Sequence, residues 1–313
     1  MTGFINIYKE PGYTSHDVVA IIRKLTRAKT GHTGTLDPQA EGVLPICLGR
    51  ATKLADYVMG QDKSYTAEVV LGVTTDTGDM TGQVLSRKPV NFDESKFDTL
   101  SKSFTGQQMQ VPPMFSAVKV GGKKLYELAR QGQTIERKAR EVVIHGIIAR
   151  DFRPETNSFT IDVTCSKGTY IRSLCMDIGE ALGTGAAMGA LLRTRSGAFL
   201  LEGAHRIGEI REAAEAGRLH ELVLPVEEML PYPRAYVRPE GVSMAKNGNP
   251  LPVGLVTRHC ERSEAIQQLG KTSGLLRRVA PRNDGELVWL HGPDGLIGLF
   301  SASPDKLRLE VMM

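Results

Sequence analysis

Asp37 is the acid that its neighbours set apart for chemistry. It closes the run Gly31-His32-Thr33-Gly34-Thr35-Leu36-Asp37-Pro38, and Gly42 follows shortly after. The glycines relax the backbone, and Pro38 keeps Asp37 itself out of the α region, so the spacing predicts an irregular loop. The apolar run Val43-Leu44-Pro45-Ile46-Cys47-Leu48 then has the length and breakers of a buried strand, which fastens the loop to the core just past its acid. A carboxylate held rigidly on a loop is what nucleophilic or general-base catalysis requires. The same spacing also suits an Asp-Pro turn whose side chain binds local backbone N–H groups.

Two further residue types could work with that acid. Ile171, Leu174, Cys175, Ile178 and Leu182 fall at the spacing of a helical stripe, and Arg172 lies one residue off it, in the first turn. There its guanidinium either snorkels to water or pairs with a partly buried carboxylate. Tyr65 opens a period-two strand with Ala67, Val69 and Leu71, where an aromatic is equally suited to packing or to stacking on a base. Lys9 follows a short strand, Phe4 to Tyr8, and either reaches water, steadies the loop or touches phosphate. Thr75-Asp76-Thr77-Gly78-Asp79 lacks the alternate oxygens and the closing Glu of an EF-hand, and reads as a turn.

The elements that position these residues are short strands well separated by helices, without regular βαβ alternation, which favours α+β. Ser15 reads as the N-cap of a helix carrying Val18, Val19, Ile22 and Leu25, and Thr52 as the cap of a short helix through Val58. Glu141 to Ala149 and Ser158 to Cys165 read as strands, and Ile207 to Ala216 as a helix. Lys119, Lys123, Lys124, Arg130, Arg137, Lys138 and Arg140 make the stretch after Pro112-Pro113 locally basic, which suits phosphate contact or a solvated helix face. Met244 to Pro252 and Glu286 to Phe300 read as hairpins around Asn-Gly and Asp-Gly turns.

Composition sets the outer bounds. The 313 residues allow one sizeable core and a smaller domain, and a net charge of +4 permits a polyanionic partner without requiring one. The four cysteines, Cys47, Cys165, Cys175 and Cys260, form no Cys-x-x-Cys pair, so neither a disulfide framework nor a zinc site is expected. No stretch approaches the ~20 apolar residues of a membrane span. Dinucleotide, zinc-protease and P-loop signatures are missing; Gly270-Lys271-Thr272 has Ala265 where the P-loop needs its upstream glycine.

Gly31-His-Thr-Gly-Thr-Leu-Asp-Pro, Gly42-Val-Leu-Pro and Gly49-Arg-Ala-Thr-Lys, taken together, resemble the catalytic motif of the TruB family, the tRNA pseudouridine-55 synthases. Lys9 to Ser15 is similar to the family's first motif, with Glu10 where proline is usual. Lys63 to Ala67, Lys167 to Arg172 and Gly185 to Gly197 resemble its later motifs. The resemblance implies a pseudouridine synthase fold, a mixed and mainly antiparallel central sheet flanked by helices, with a small C-terminal PUA-like β-barrel. It divides the chain into a catalytic domain at 1–230 and an RNA-binding domain at 234–313, interrupted by an insertion at about 257–284. That insertion looks like a translated repeat element and is expected to be an exposed excursion without a chemical role, since loop length costs little. His259 and Cys260 within it make an unconvincing metal site.

What the resemblance implies for function is isomerisation of the T-loop uridine of tRNA to pseudouridine, without cofactor or metal. Asp37 would be the catalytic acid residue, Arg172 its ion-pair partner, and Tyr65 the ring against the uracil. Tyr170 and Leu191 would wall the pocket, His32 would fill the stack vacated by the ejected base, and Lys9 would support the loop or bind RNA. The expected partner is the tRNA T-arm, with no membrane and no obligatory protein partner, in a cytoplasmic monomer. Three alternatives stay open: a related synthase acting on another RNA, a non-catalytic tRNA-binding or chaperone protein, and a metal-dependent hydrolase using Asp37, Asp76 and Asp79.

Overall fold

Antiparallel pairing of apolar, alternating segments builds the larger of two sheets. The computed structural model of the chain describes residues 1–116, 118–133, 135–258 and 285–313. Nine strands form this sheet: β1 (Gly3–Lys9), β2 (Thr30–His32), β3 (Glu41–Leu48), β4 (Lys63–Leu71), β5 (Gly106–Gln110), β6 (Arg140–Arg153), β7 (Ser158–Cys165), β8 (Ala186–Ser196) and β9 (Phe199–Leu200). Their order is β1-β3-β8-β4-β7-β6-β5, with β2 on β3 and β9 on β8. Only β3 and β8 run parallel, so the sheet is mixed and mainly antiparallel, as expected of this α+β class.

That parallel contact depends on Gly42. It opens β3 opposite Arg193 with φ at +100°, and a Cβ there would meet the Arg193 carbonyl oxygen at 2.3 Å. The glycine predicted to loosen the loop therefore serves a close approach of two strands.

Helices cover the sheet. α1 (Ser15–Thr26) buries Val18, Val19 and Ile22 against β1 and β3, and α2 (Ile171–Ala181) buries Leu174, Cys175 and Ile178 against β4, β7 and β8. Thr14, not Ser15, caps α1: its side chain accepts from the Asp17 N–H, and Asp17 accepts in return from the Thr14 N–H. Ser15 is buried instead, where its hydroxyl accepts from Leu36 N–H at 2.9 Å. The helix end is thus tied to the acid's own loop. Thr52 also caps no α-helix; it lies in a 3-10 turn, Gly49–Leu54, and donates to the Gly49 carbonyl.

A second sheet of six strands holds the C-terminal segment: β10 (Arg234–Val237), β11 (Leu251–Pro252), β12 (Val256–Arg258), β13 (Glu286–Gly292), β14 (Gly295–Ala302) and β15 (Lys306–Met312). Its order is β11-β15-β14-β13-β10-β12, a nearly closed barrel-like sheet. The Asp294-Gly295 hairpin is present between β13 and β14. The Asn247-Gly248 hairpin is not, because a short helix, Val242–Lys246, ends there, and Gly248 with φ at +73° serves its C-terminal turn. The expected insertion lies, from residue 259 onward, outside the described residues, with His259, Cys260 and Gly270-Lys271-Thr272.

Candidate functional site

Asp37 lies in the loop between β2 and β3, and the loop is fixed at several atoms. Thr33 is fully buried, and both its N–H and its hydroxyl donate to the Pro45 carbonyl. Leu36 is bound through Ser15 as described, and Lys9, which is completely buried, donates to the Pro38 carbonyl at 2.9 Å. Burial pulls the Lys9 amine down to about 8, against the opposing pull of Glu41 and Asp37. Of the roles considered for Lys9, loop support fits this geometry, whereas a buried ammonium facing carbonyl oxygens offers nothing to phosphate.

Arg172 reaches the acid from the first turn of α2. Its Nε lies 3.0 Å from Asp37 Oδ2, and its Nη2 donates to Oδ1 at 3.3 Å. The residue is only 5% exposed, and it also donates from Nη1 to the Thr77 carbonyl at 3.1 Å and from Nη2 to the Phe115 carbonyl at 2.7 Å. A second carboxylate, Asp79, stands 3.8 Å from Nε. One guanidinium therefore joins the acid loop, the segment Thr77–Asp79 and the root of the basic stretch after β5.

This arrangement changes two readings of the sequence. Thr75 to Asp79 does contain turn contacts, but Asp79 also enters the network of the acid, which no local signal announced. The metal-hydrolase geometry is lost, because Arg172 sits beside both Asp37 and Asp79 while Asp76 accepts from the Gln83 N–H. Burial nevertheless outweighs Arg172 at Asp37, and with Asp79 nearby the carboxyl is raised above its ordinary range. The guanidinium aims the acid more than it acidifies it.

Tyr65 and Leu191 complete the slot. Both are partly buried and pack against two neighbouring core clusters, one built on β4 and β7 with α2 and the other on β1 and β3 with α1. Tyr65 pairs in register with Arg193 on β8, a residue sequence reasoning assigned no role. Arg193 is 2% exposed, and its guanidinium donates to the carbonyls of Val43 at 2.7 Å, Gly34 at 3.1 Å and Thr35 at 3.5 Å, while its charge draws the neighbouring Tyr65 hydroxyl toward ionisation. Burial pushes the Tyr65 phenol up despite Arg193, so it stays protonated at neutral pH. Tyr170 precedes α2, with its backbone gripped on both sides by the Gln110 amide at 2.7 and 3.0 Å.

These residues meet in space. A cleft of about 550 Å³ is lined by Asp37, Tyr65, Tyr170, Arg172, Leu191 and Arg193, with exposed Arg140 and Lys167 on its wall. A second cleft of about 620 Å³ opens on the other side of Asp37, past Asp79 and His16. Asp37, Arg172, Leu191, Thr35, Leu36 and Ser116 wall both. His32 lines neither cleft. Its ring stands 5.3 Å from that of His16 at 78°, its Nδ1 accepts from the Gly34 N–H, and burial pulls it down to about 4, so the imidazole is neutral.

Known proteins share part of this sequence and its fold. Residues 23–171 match the model of the TruB family pseudouridylate synthase N-terminal domain, and 172–231 that of the tRNA pseudouridylate synthase B C-terminal domain. A Moorella thermoacetica protein named tRNA pseudouridine synthase B is 46% identical over 308 residues, 97% of this chain and 94% of its own. The chain belongs to the TruB family. A Bacillus subtilis tRNA pseudouridine synthase B is 48% identical over 236 residues, covering 74% of this chain and 76% of its own. Among solved structures, this TruB-family chain resembles one in a Cbf5-Nop10-Gar1 complex, with a TM-score of 0.71 and 27% identity over 99% of this chain and 84% of that one. An H/ACA RNP bound to a substrate RNA containing 2'-deoxyuridine gives a TM-score of 0.70 and 25% identity over the same shares. The chain is thus an isomerase of the pseudouridine synthase fold, with a C-terminal sheet consistent with a PUA-like domain.

Proposed function

We propose that this enzyme converts the T-loop uridine of tRNA, position 55, to pseudouridine. One observation carries the reading: a loop acid, paired to a buried guanidinium, shares a cleft with a tyrosine and a leucine. Pseudouridine formation breaks the bond between uracil N1 and the ribose C1', turns the base, and closes a bond from C5 to the same carbon. Atoms and electrons balance within one nucleotide, so the reaction calls for no redox cofactor. Asp37 starts the exchange by attack or deprotonation, and Arg172 holds it in line. Tyr65 stacks on the uracil, and its neutral hydroxyl relays the proton lost late from C5, accepting it as its own passes to water, while N1 takes up a proton from water so that the balance closes. Leu191 and Tyr170 exclude water from the turning base.

The uridine must leave its stack to reach Asp37, at a cost of a few kcal/mol. The neutral His32 ring, 5.3 Å from that of His16 on the second cleft, takes the place left behind. Arg140 and Lys167 meet phosphate, and the C-terminal sheet binds the acceptor end of the same tRNA. The protein acts as a monomer in the cytoplasm. Incubation with an unmodified tRNA transcript, followed by mapping of pseudouridine, should give one modified T-loop site with wild type and none with Asp37→Asn. Modification at another position, or only in another RNA, would overturn the proposal, and unaltered turnover by Asp37→Asn would overturn its mechanism.

A further inference from the structure

Ser116 lies on the segment just past β5, next to Phe115, whose carbonyl Arg172 holds at 2.7 Å. The residue is 5% exposed, and its hydroxyl is buried without a hydrogen-bond partner among the described residues. Four other buried polar atoms are also unpaired, on Asn6, Gln61, Arg137 and Ser196, but none of those residues lines either cleft. Ser116 lines both, as part of the wall it shares with Asp37, Arg172 and Leu191.

A buried hydroxyl left unpaired is a cost that a folded chain has no reason to retain at an ordinary packing position. Alanine would fill the same space without that cost. The position of the hydroxyl offers the reason for keeping it. Its segment is held, through the Phe115 carbonyl, by the same guanidinium that aims the acid, and it lies on a cleft wall shared with Asp37 that the ejected base must pass or occupy. We propose that Ser116 is a substrate-binding residue whose hydroxyl pairs with the polar edge of the ejected pyrimidine. Uracil presents two carbonyl acceptors and one N–H donor, and a hydroxyl answers either kind. The inference rests on the pseudouridine synthase reading and deepens it, by assigning the base a hydrogen-bond partner that the ion pair and the apolar walls do not supply.

The test combines stability, turnover and binding in Ser116→Ala. Its thermal midpoint is expected to equal or exceed that of wild type, while kcat/KM on a T-arm stem-loop falls about tenfold, the worth of one hydrogen bond near 1.4 kcal/mol. Affinity should fall for stem-loop RNA containing the target uridine and stay unchanged for the same RNA with an abasic site at that position. Ser116→Thr, which keeps the hydroxyl, should recover most of the discrimination between the two RNAs. Unaltered turnover, a midpoint that falls in step with activity, or an equal loss of affinity for the abasic RNA would each overturn the proposal. The binding comparison needs no catalysis. A protein that binds uridine RNA through Ser116 but makes no pseudouridine would refute the proposed reaction and leave this contact standing.

Discussion

At the scale of single residues, the site works against its own stability. Asp37 has its carboxyl raised by burial, so the folded protein holds a proton there more readily than the unfolded chain does. For an acid shifted in that direction, the contribution to stability is full below the unfolded pKa and is lost as pH rises through the folded one. At neutral pH the ionised acid is therefore a burden that Arg172 only partly offsets. Asp37→Asn should abolish at least ~10³-fold of the activity while leaving the thermal midpoint at pH 7 unchanged or higher. A clear drop in midpoint would show that the ion pair is a net stabiliser. The same shift predicts that single-turnover rates fall with acidification at a higher pH than a free aspartate would give, because only the ionised form can act. An acid limb at the ordinary carboxylate value would contradict the burial argument.

At the scale of elements, legibility followed sequence distance. The loop around Asp37, the alternating strand from Tyr65 and the stripe of α2 were readable because each signal lies within about a dozen residues. Partnerships were not: Arg172 and Asp37 are 135 positions apart, and only the family resemblance linked them. Asp79 hid behind satisfied turn chemistry, and Asn247-Gly248 stopped a helix where the same dipeptide commonly turns a hairpin. Arg193 was missed because an arginine in a strand reads as surface, whereas β8 lies between β3 and β4 and faces it inward. Its three carbonyl partners and its in-register pairing with Tyr65 make it the tie between the acid loop and that ring. Arg193→Lys keeps the charge but not the planar fork, and should cost ~10–100-fold in kcat with a lesser effect on RNA affinity. If kcat is unchanged and only binding suffers, Arg193 belongs to the RNA surface and not to the alignment of the site.

At the scale of the whole molecule, the two sheets share a core. Trp289 on β13 is fully buried beside Phe4, Val43, Cys47, Leu54 and Phe199 of the larger sheet and its flank, and its indole N–H donates to the Leu230 carbonyl at 2.7 Å. Leu299 and Val311 enter the same cluster from β14 and β15. The C-terminal sheet is therefore docked through an apolar contact, not tethered by a linker alone, and it holds a fixed position relative to Asp37. Rigid docking would matter for the second RNA contact proposed for this sheet, because each fixed distance selects RNAs of matching shape. Trp289→Phe, which loses the N–H donor and one of the two fused rings, should cost about 1–3 kcal/mol, and Trp289→Ala about 3–5 kcal/mol through the larger cavity it leaves. As this is the only tryptophan in the chain, its emission reports the docked interface directly. In denaturant titrations, the emission should shift to the red together with the loss of far-ultraviolet ellipticity if the two sheets unfold as one unit. A red shift that precedes that loss would mean that the C-terminal sheet undocks first, and the fixed-distance account of RNA selection would fail with it.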